Sequence, residues 1–338
     1  MAAETKTRSW FVNLLRERSV QIALLLWVVC SAAIFPLSQG TLPFNQPRLA
    51  GTPFRVQIYG TIFGWLFALI FIAVTYALTR RRAIPDMASR APNRVMALRE
   101  TVGLWIYGAV VMAAGQVIGR RFFGEGFGLH LNGSLFGMTR MTTPTQAWVW
   151  ASYDFALLAV APYLVFRARG YSREALNLKS ANLRNDTLVI VVVLAIEASV
   201  ELAAGDFLKL SAHQMLVGGG LSFVIHLLGT GLPVMIFIYA ILMPRYARLT
   251  GSTAATVLLG AVSYAAVHIF EYWTVYDSLP HALLSLIFVL LTFITPGLVK
   301  SYLTVRTGNA WVHLWGYHAI APHVTSDTPM IVEIFRIR

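Results

Sequence analysis

MLVGGGLSFVIHLLGTGLPVMIFIYAILM, residues 215–243, runs for 29 positions without one Asp, Glu, Lys or Arg. A helix needs about 20 mainly apolar residues to cross a hydrocarbon core, so this stretch is long enough to span a membrane. Gly229, Gly231 and Pro233 leave open whether it does so as one span or two. Eight more apolar runs surround it, at Val20–Leu37, Ile58–Thr79, Val102–Ile118, Ala147–Phe166, Leu188–Ala204, Ala255–Trp273, His281–Val299 and Asn309–Val324. The last is short and polar, and is expected away from lipid. Across all 338 residues, 57% are apolar and 12% charged, with mean hydropathy +0.64. Soluble domains carry about 25% charged residues, so these charges are too few to cover a soluble surface. The expected fold class is all-α, a polytopic transmembrane bundle of about nine spans.

The net charge is +12. Its basic residues lie in short segments between apolar runs, which fits a membrane surface and argues against nucleic acid. With the spans alternating from a cytoplasmic N-terminus, 19 Lys and Arg fall inside and 8 outside, the asymmetry expected of cytoplasmic loops. Arg80-Arg81-Arg82 and the segment Arg167 to Arg184 carry most of that signal. The basic N-terminus before Val20 resembles a signal peptide, but the long run and the eight that follow favour a retained first span. Cys30 is the single cysteine, which excludes an intrachain disulfide and a cysteine-rich zinc site. The Arg120–Gln146 loop holds Gly124, Gly126, Gly128, Gly133 and Gly137. Its GEGFG run lacks the Lys-Ser/Thr and the preceding strand of a phosphate loop, and is expected as an outer loop. Tyr171–Asp186 reads as a surface helix capped by Ser172, with Ala175, Leu176 and Leu178 on the membrane.

Four stretches carry a resemblance. REALNLKSANLRND at Arg173–Asp186 is similar to an approach segment. SYAAVHIF contains Tyr264 and His268 as an aromatic-x-x-x-His motif. Pro296-Gly297 through Tyr302-Leu303 and then Arg306-Thr307-Gly308-Asn309-Ala310-Trp311 look like a Gly-containing helix end and an R-T-G turn. Tyr317-His318-Ala319 sits at a second histidine. Together, from Ser172 to Val324, they resemble the CAAX proteases and bacteriocin-processing enzymes, which are all-helical intramembrane metallo-endopeptidases. The resemblance implies three parts: a four-span N-terminal region (1–170), a CAAX-protease-like core (171–324) and a C-terminal tail (325–338). It also implies a bacterial inner (plasma) membrane, zinc if the site is active, and a membrane protein or lipidated peptide as partner beside the lipid bilayer.

The chain departs from that pattern where chemistry is concentrated. Aligned on Pro244-Arg245, the family's Glu-Glu pair falls on Val234-Met235 and its arginine on Tyr239. No Asp or Glu occurs between Phe207 and Phe270, and the expected asparagine is Pro322. Water needs a base or metal to attack a peptide at neutral pH. His268 and His318 remain as candidate catalytic and metal-binding groups. Glu197 and Glu201, four apart on one helix face, are candidate substitute acids, because intramembrane carboxylates are functional candidates by default. Glu271, three residues from His268, is a candidate metal partner. The bland alternatives are Glu201 paired with Lys209 and Glu271 at a span end.

His313, His318 and His323 are five apart, about 140° per step on an α-helix, so no shared face is expected. His226 reads as a structural histidine, and His130, His213, His281 and Asp154 as interfacial. Pro322 removes a backbone donor and crowds the His318 carbonyl, so the last helix should kink or end there. Trp10, Trp148, Trp150, Trp273 and Trp311 fall near span ends, as in an aromatic belt, and Gly218-Gly219-Gly220 reads as helix packing. The reading favoured is a divergent, catalytically impaired endopeptidase homologue that binds a membrane protein or lipidated peptide. Its alternatives are an active peptidase with a rebuilt His/Glu site and a small-solute carrier, though the paired broken helices of a carrier are not evident.

Overall fold

A computed structural model describes residues 13–44, 51–123, 143–271 and 273–338; Trp10, Gly124 to Gly137 and His130 lie outside them. Among the described residues the chain is helical, with no strand. The helices are α1 (Arg18–Ser38), α2 (Phe54–Thr79), α3 (Arg94–Phe123), α4 (Pro144–Ala168), α5 (Leu183–Ala204) and α6 (Gln214–Thr250). Then come α7 (Thr253–Ala266), α8 (Leu279–Thr307), α9 (310–318), α10 (Ala321–Ser326) and α11 (Thr328–Phe335).

Their ends follow from local chemistry. Thr143 and Gln146 make a reciprocal capping box on α4. Asn182, Ser252, Ser278 and Asn309 accept first-turn N–H groups of α5, α7, α8 and α9, groups that otherwise lack partners. Gly251 and Gly308 close α6 and α8 in the left-handed region. At Gly308, with φ +63°, an added Cβ would also lie 2.7 Å from Pro85. Gly308→Ala is therefore expected to cost about 1–3 kcal/mol, read as a lowered unfolding temperature in detergent.

Among the described residues, six helices are long and apolar enough to cross a membrane: α1, α2, α3, α4, α6 and α8. They correspond to six of the nine runs seen in the sequence. Of the other three, α5 (Leu183–Ala204) is not one of the six, the 14-residue α7 is too short, and the last run breaks into α9 and α10. The break falls at 319–320, with Pro322 opening α10, as expected of a residue without an N–H. The open question at 215–243 resolves into a single helix. α6 has 37 residues, about 55 Å at 1.5 Å per residue, and takes up Gly229, Gly231 and Pro233 through a π-helical turn at Leu227–Gly231.

Large apolar side chains on α1, α2 and α3, such as Leu25, Val29, Ile70, Ile106 and Val117, face outward. So broad an exposed apolar belt is what lipid covers. Inside it, Leu104, Val111, Leu158 and Phe166 share one core cluster with Met235, Tyr239 and Leu314, so the front helices pack directly on the back ones. Trp150 and Trp273, expected at an aromatic belt, are core residues instead. Trp150 is fully buried against Gly229, where a Cβ would lie 2.1 Å from its ring. Trp273 packs on Phe44 at 5.1 Å. Gly218 and Gly219 pack against Val332 and Val324, while Gly220 faces open space.

Polar contacts gather the start of α1, the end of α2 and the α6–α7 and α8–α9 turns at one end. Ser252 donates to Glu17 (2.6 Å), Arg248 to the Ala91 carbonyl (3.3 Å) and Arg90 to the Gly308 carbonyl (2.6 Å). Arg80, Arg81, Arg82, Arg167, Arg169 and Arg173 lie at this basic end. At the other end Gln214 donates to the Ile337 carbonyl (3.0 Å), and Lys209 pairs with Asp206 (2.6 Å).

Candidate functional site

The expected surface helix at 171–186 is instead a turn driven into the protein. Ser172 does accept from the Ala175 N–H (3.1 Å), but Leu176 and Asn177 are fully buried. Asn177 takes a left-handed conformation, φ +53°. Its side chain donates to the Tyr239 carbonyl (2.8 Å) and its own carbonyl accepts from Ala310 (2.7 Å). Those bonds outweigh a helix lying on lipid. Next to it Asp186 joins Arg82 (2.5 Å) and the Asn309 amide (2.8 Å), and Arg90 donates to Asn177 (2.6 Å). The approach segment and the Arg306–Trp311 turn, more than 120 residues apart in sequence, are thus one hydrogen-bonded unit.

Above this unit lies a buried polar centre organised on Tyr264. His268 lies just past α7; its Nδ1–H donates to the Tyr264 carbonyl (2.6 Å), since a carbonyl can only accept. The His268 ring stacks on Phe293 at 3.8 Å. Tyr264 meets His268 at 4.5 Å and His318 at 5.9 Å, centre to centre, so the two expected histidines are brought together around one phenol ring. On that ring's face, 3.6 Å from its centre, sits the Lys300 ammonium. Lys300 is buried and interacts electrostatically with Glu197. The Tyr264 ring face and the Glu197 carboxyl are the partners that offset burial of the Lys300 amine.

The other acids go elsewhere. Glu201 accepts a hydrogen bond from Ser326 at the end of α10, while Lys209 pairs with Asp206. Glu271 is buried and interacts electrostatically with Asp327. Asp154 is buried inside α4 and is not interfacial, because the π-helical turn at Phe155–Val160 sits among packed helices. His281 and Asp277 pair at 2.6 Å near the surface, and that hydrogen bond holds the Asp277 carboxyl below its usual range. His213 is exposed.

The expectation that His313, His318 and His323 share no face is overturned. Residues 314–318 and 321–326 are π-helical, and i→i+5 hydrogen bonding places residues five apart about one turn from each other. Ring centres follow in sequence: Tyr239 to His313 at 4.0 Å, His313 to His318 at 6.4 Å, His318 to His323 at 5.2 Å and His323 to His226 at 4.7 Å. His226, read as an isolated structural histidine, ends that ladder. The ligating atoms of His226, His323 and Asp327 lie within 4.8 Å of one another.

Sequence reasoning passed over Lys300 and Asp327 as site residues. Lys300 was visible as a lone charge following an apolar run, whereas Asp327 lay just beyond the apparent last span and carried no signal. The five-residue histidine spacing was itself the clue to the ladder, once π-helical turns are admitted.

Beside His268 lies a cavity of about 300 Å³. Gly108, Ala109, Met112 and Ala113 of α3 line one wall, Val234, Phe237 and Ile238 of α6 another, and Val267, Ile269 and Phe270 a third. Its lining is almost wholly apolar. The chain thus combines a histidine- and tyrosine-lined polar centre with an apolar recess at its flank. No family model, curated protein or solved structure matches it.

Proposed function

We propose that this is an integral membrane protein akin to the CAAX proteases that binds the apolar chain of a lipidated or hydrophobic peptide and does not hydrolyse it. The cavity beside His268 carries this reading. Its wall includes Val234, one of the two positions where the family places its glutamates. Ligand sites are mostly apolar recesses with a few polar groups at the edge, and an apolar chain is what such walls solvate best. Support for the kinship comes from the approach segment, the Arg306–Trp311 turn, Tyr264-His268 and His318 all lying around one interior. In this reading the basic end, with Arg80-Arg81-Arg82, faces the cytoplasm.

Ala113→Trp puts an indole into the recess. It is expected to weaken binding of a fluorescent prenylated peptide at least about tenfold, a loss of about 1.4 kcal/mol, with unfolding temperature nearly unchanged. Cleavage of that peptide by the wild-type protein, abolished in His268→Ala, would show a working peptidase and end the binding-only reading.

A further inference from the structure

We infer that His226, His323 and Asp327 form a binding site for a divalent transition-metal cation of the zinc type, tying α6 to the C-terminal segment. His226 Nδ1 lies 2.8 Å from the Ser222 carbonyl oxygen, which can only accept, so Nδ1 carries the proton. In the neutral ring Nε2 then presents a lone pair. That lone pair faces Asp327 Oδ2 at 3.4 Å, and an ionised carboxylate also presents only lone pairs. Two lone pairs facing each other at 3.4 Å leave a place for a cation between them.

A second imidazole converges on the same oxygen: His323 Nδ1 lies 2.7 Å from it. The two rings are nearly parallel, 7° apart with centres at 4.7 Å, and both are buried. Zinc takes nitrogen and oxygen donors at about 2.0–2.2 Å in tetrahedral array, so its donors stand about 3.3 Å apart. The His226–Asp327 edge already has that length. The His323–Asp327 edge opens to it by a small rotation of Asp327, whose side chain is 32% exposed and so has room to turn. The Ser222 carbonyl supplies the outer hydrogen bond that fixes a ligating imidazole's tautomer. The partly exposed Asp327 marks the entry route.

Two imidazoles and one carboxylate suit zinc, cobalt(II) or nickel(II) better than calcium or magnesium, which prefer oxygen donors. The site is independent of the apolar cavity; each stands if the other fails. The test is metal content of detergent-purified protein, stripped with chelator, reloaded with zinc and desalted, with cobalt(II) as a spectroscopic substitute. Expected are about one zinc per chain, tetrahedral cobalt absorption bands, and a higher unfolding temperature in the loaded protein. His226→Ala and His323→Ala should each bring zinc below about 0.1 per chain, and Asp327→Asn, which keeps shape and hydrogen bonding, should weaken binding about 10–100-fold. His268→Ala should keep its zinc. Wild-type protein that is folded by size exclusion and holds less than about 0.1 zinc, or zinc retained in Asp327→Asn and His226→Ala but lost in His268→Ala, overturns the assignment.

Discussion

Glu100→Ala is expected to destabilise the bundle by about 3–5 kcal/mol, the largest effect expected of any single substitution proposed. Arg245 is fully buried near the end of α6. Its Nε donates to Glu100 Oε2 on α3 (2.9 Å), and one terminal nitrogen lies 2.8 Å from the same oxygen as an ion-pair contact, a charge-assisted pair. The other terminal nitrogen donates to the Ile241 carbonyl (2.7 Å), and the Phe166 and Tyr171 rings cover the cation at 4.5 and 4.8 Å. Tyr171 also donates to Glu100 (2.8 Å). Removing the carboxylate strands a positive charge where water cannot reach it. Breaking a buried pair costs far more than replacing both members with apolar groups. Glu100→Ala combined with Arg245→Met should accordingly recover at least half of the lost stability in reversible unfolding from detergent micelles. A double variant no more stable than Glu100→Ala alone would show that Arg245 packs for reasons other than its charge.

The second large effect is at Gly297. A Cβ added there would lie 2.7 Å from Ala261 Cα and 2.8 Å from the Ala261 carbonyl oxygen, so α7 and α8 touch backbone to backbone. A side-chain clash can be relieved by a rotamer change, but a clash with backbone requires the helices to part. Gly297→Ala is therefore expected to cost about 3 kcal/mol or more, at the upper end of overpacking effects. Gly220→Ala is the internal control. Nothing lies within 4 Å of its added Cβ and the helix gains a better former, so it should be neutral or stabilising by up to about 1 kcal/mol. Equal unfolding temperatures for the two variants would remove close α7–α8 contact from the account.

These two sites show what the sequence made legible. Gly297 stood out beside Pro296 in a resemblance to a helix end, and its contact with α7 follows from small residues packing where helices cross. Glu100 and Arg245 lie 145 positions apart, and neither has a neighbour in sequence that announces the pairing. The apolar runs were plain because about 20 apolar residues in a row have few alternative fates. The runs at 188–204, 255–273 and 309–324, the last already expected away from lipid, are not among the six helices long and apolar enough to cross a membrane. His268 lies in the turn just past α7, and with Tyr264 it was legible only as an aromatic-x-x-x-His motif. The histidine ladder was not, because the angle of about 140° per step assumed α-helical turns. Leu176 was misplaced onto the membrane for a related reason: a left-handed Asn177 that bonds to Tyr239 and Ala310 is a tertiary fact with no local pattern.

The central claim is that an apolar chain enters the recess between α3, α6 and the residues after α7. Photocrosslinking tests it most directly, using a prenylated peptide with a diazirine on the lipid and mass-spectrometric mapping of the labelled residues. The account predicts labels on Phe237, Ile269 or Phe270 that disappear in Ala113→Trp. Labels confined to outward-facing residues such as Leu25, Ile70 and Val117, and unchanged in Ala113→Trp, would contradict it.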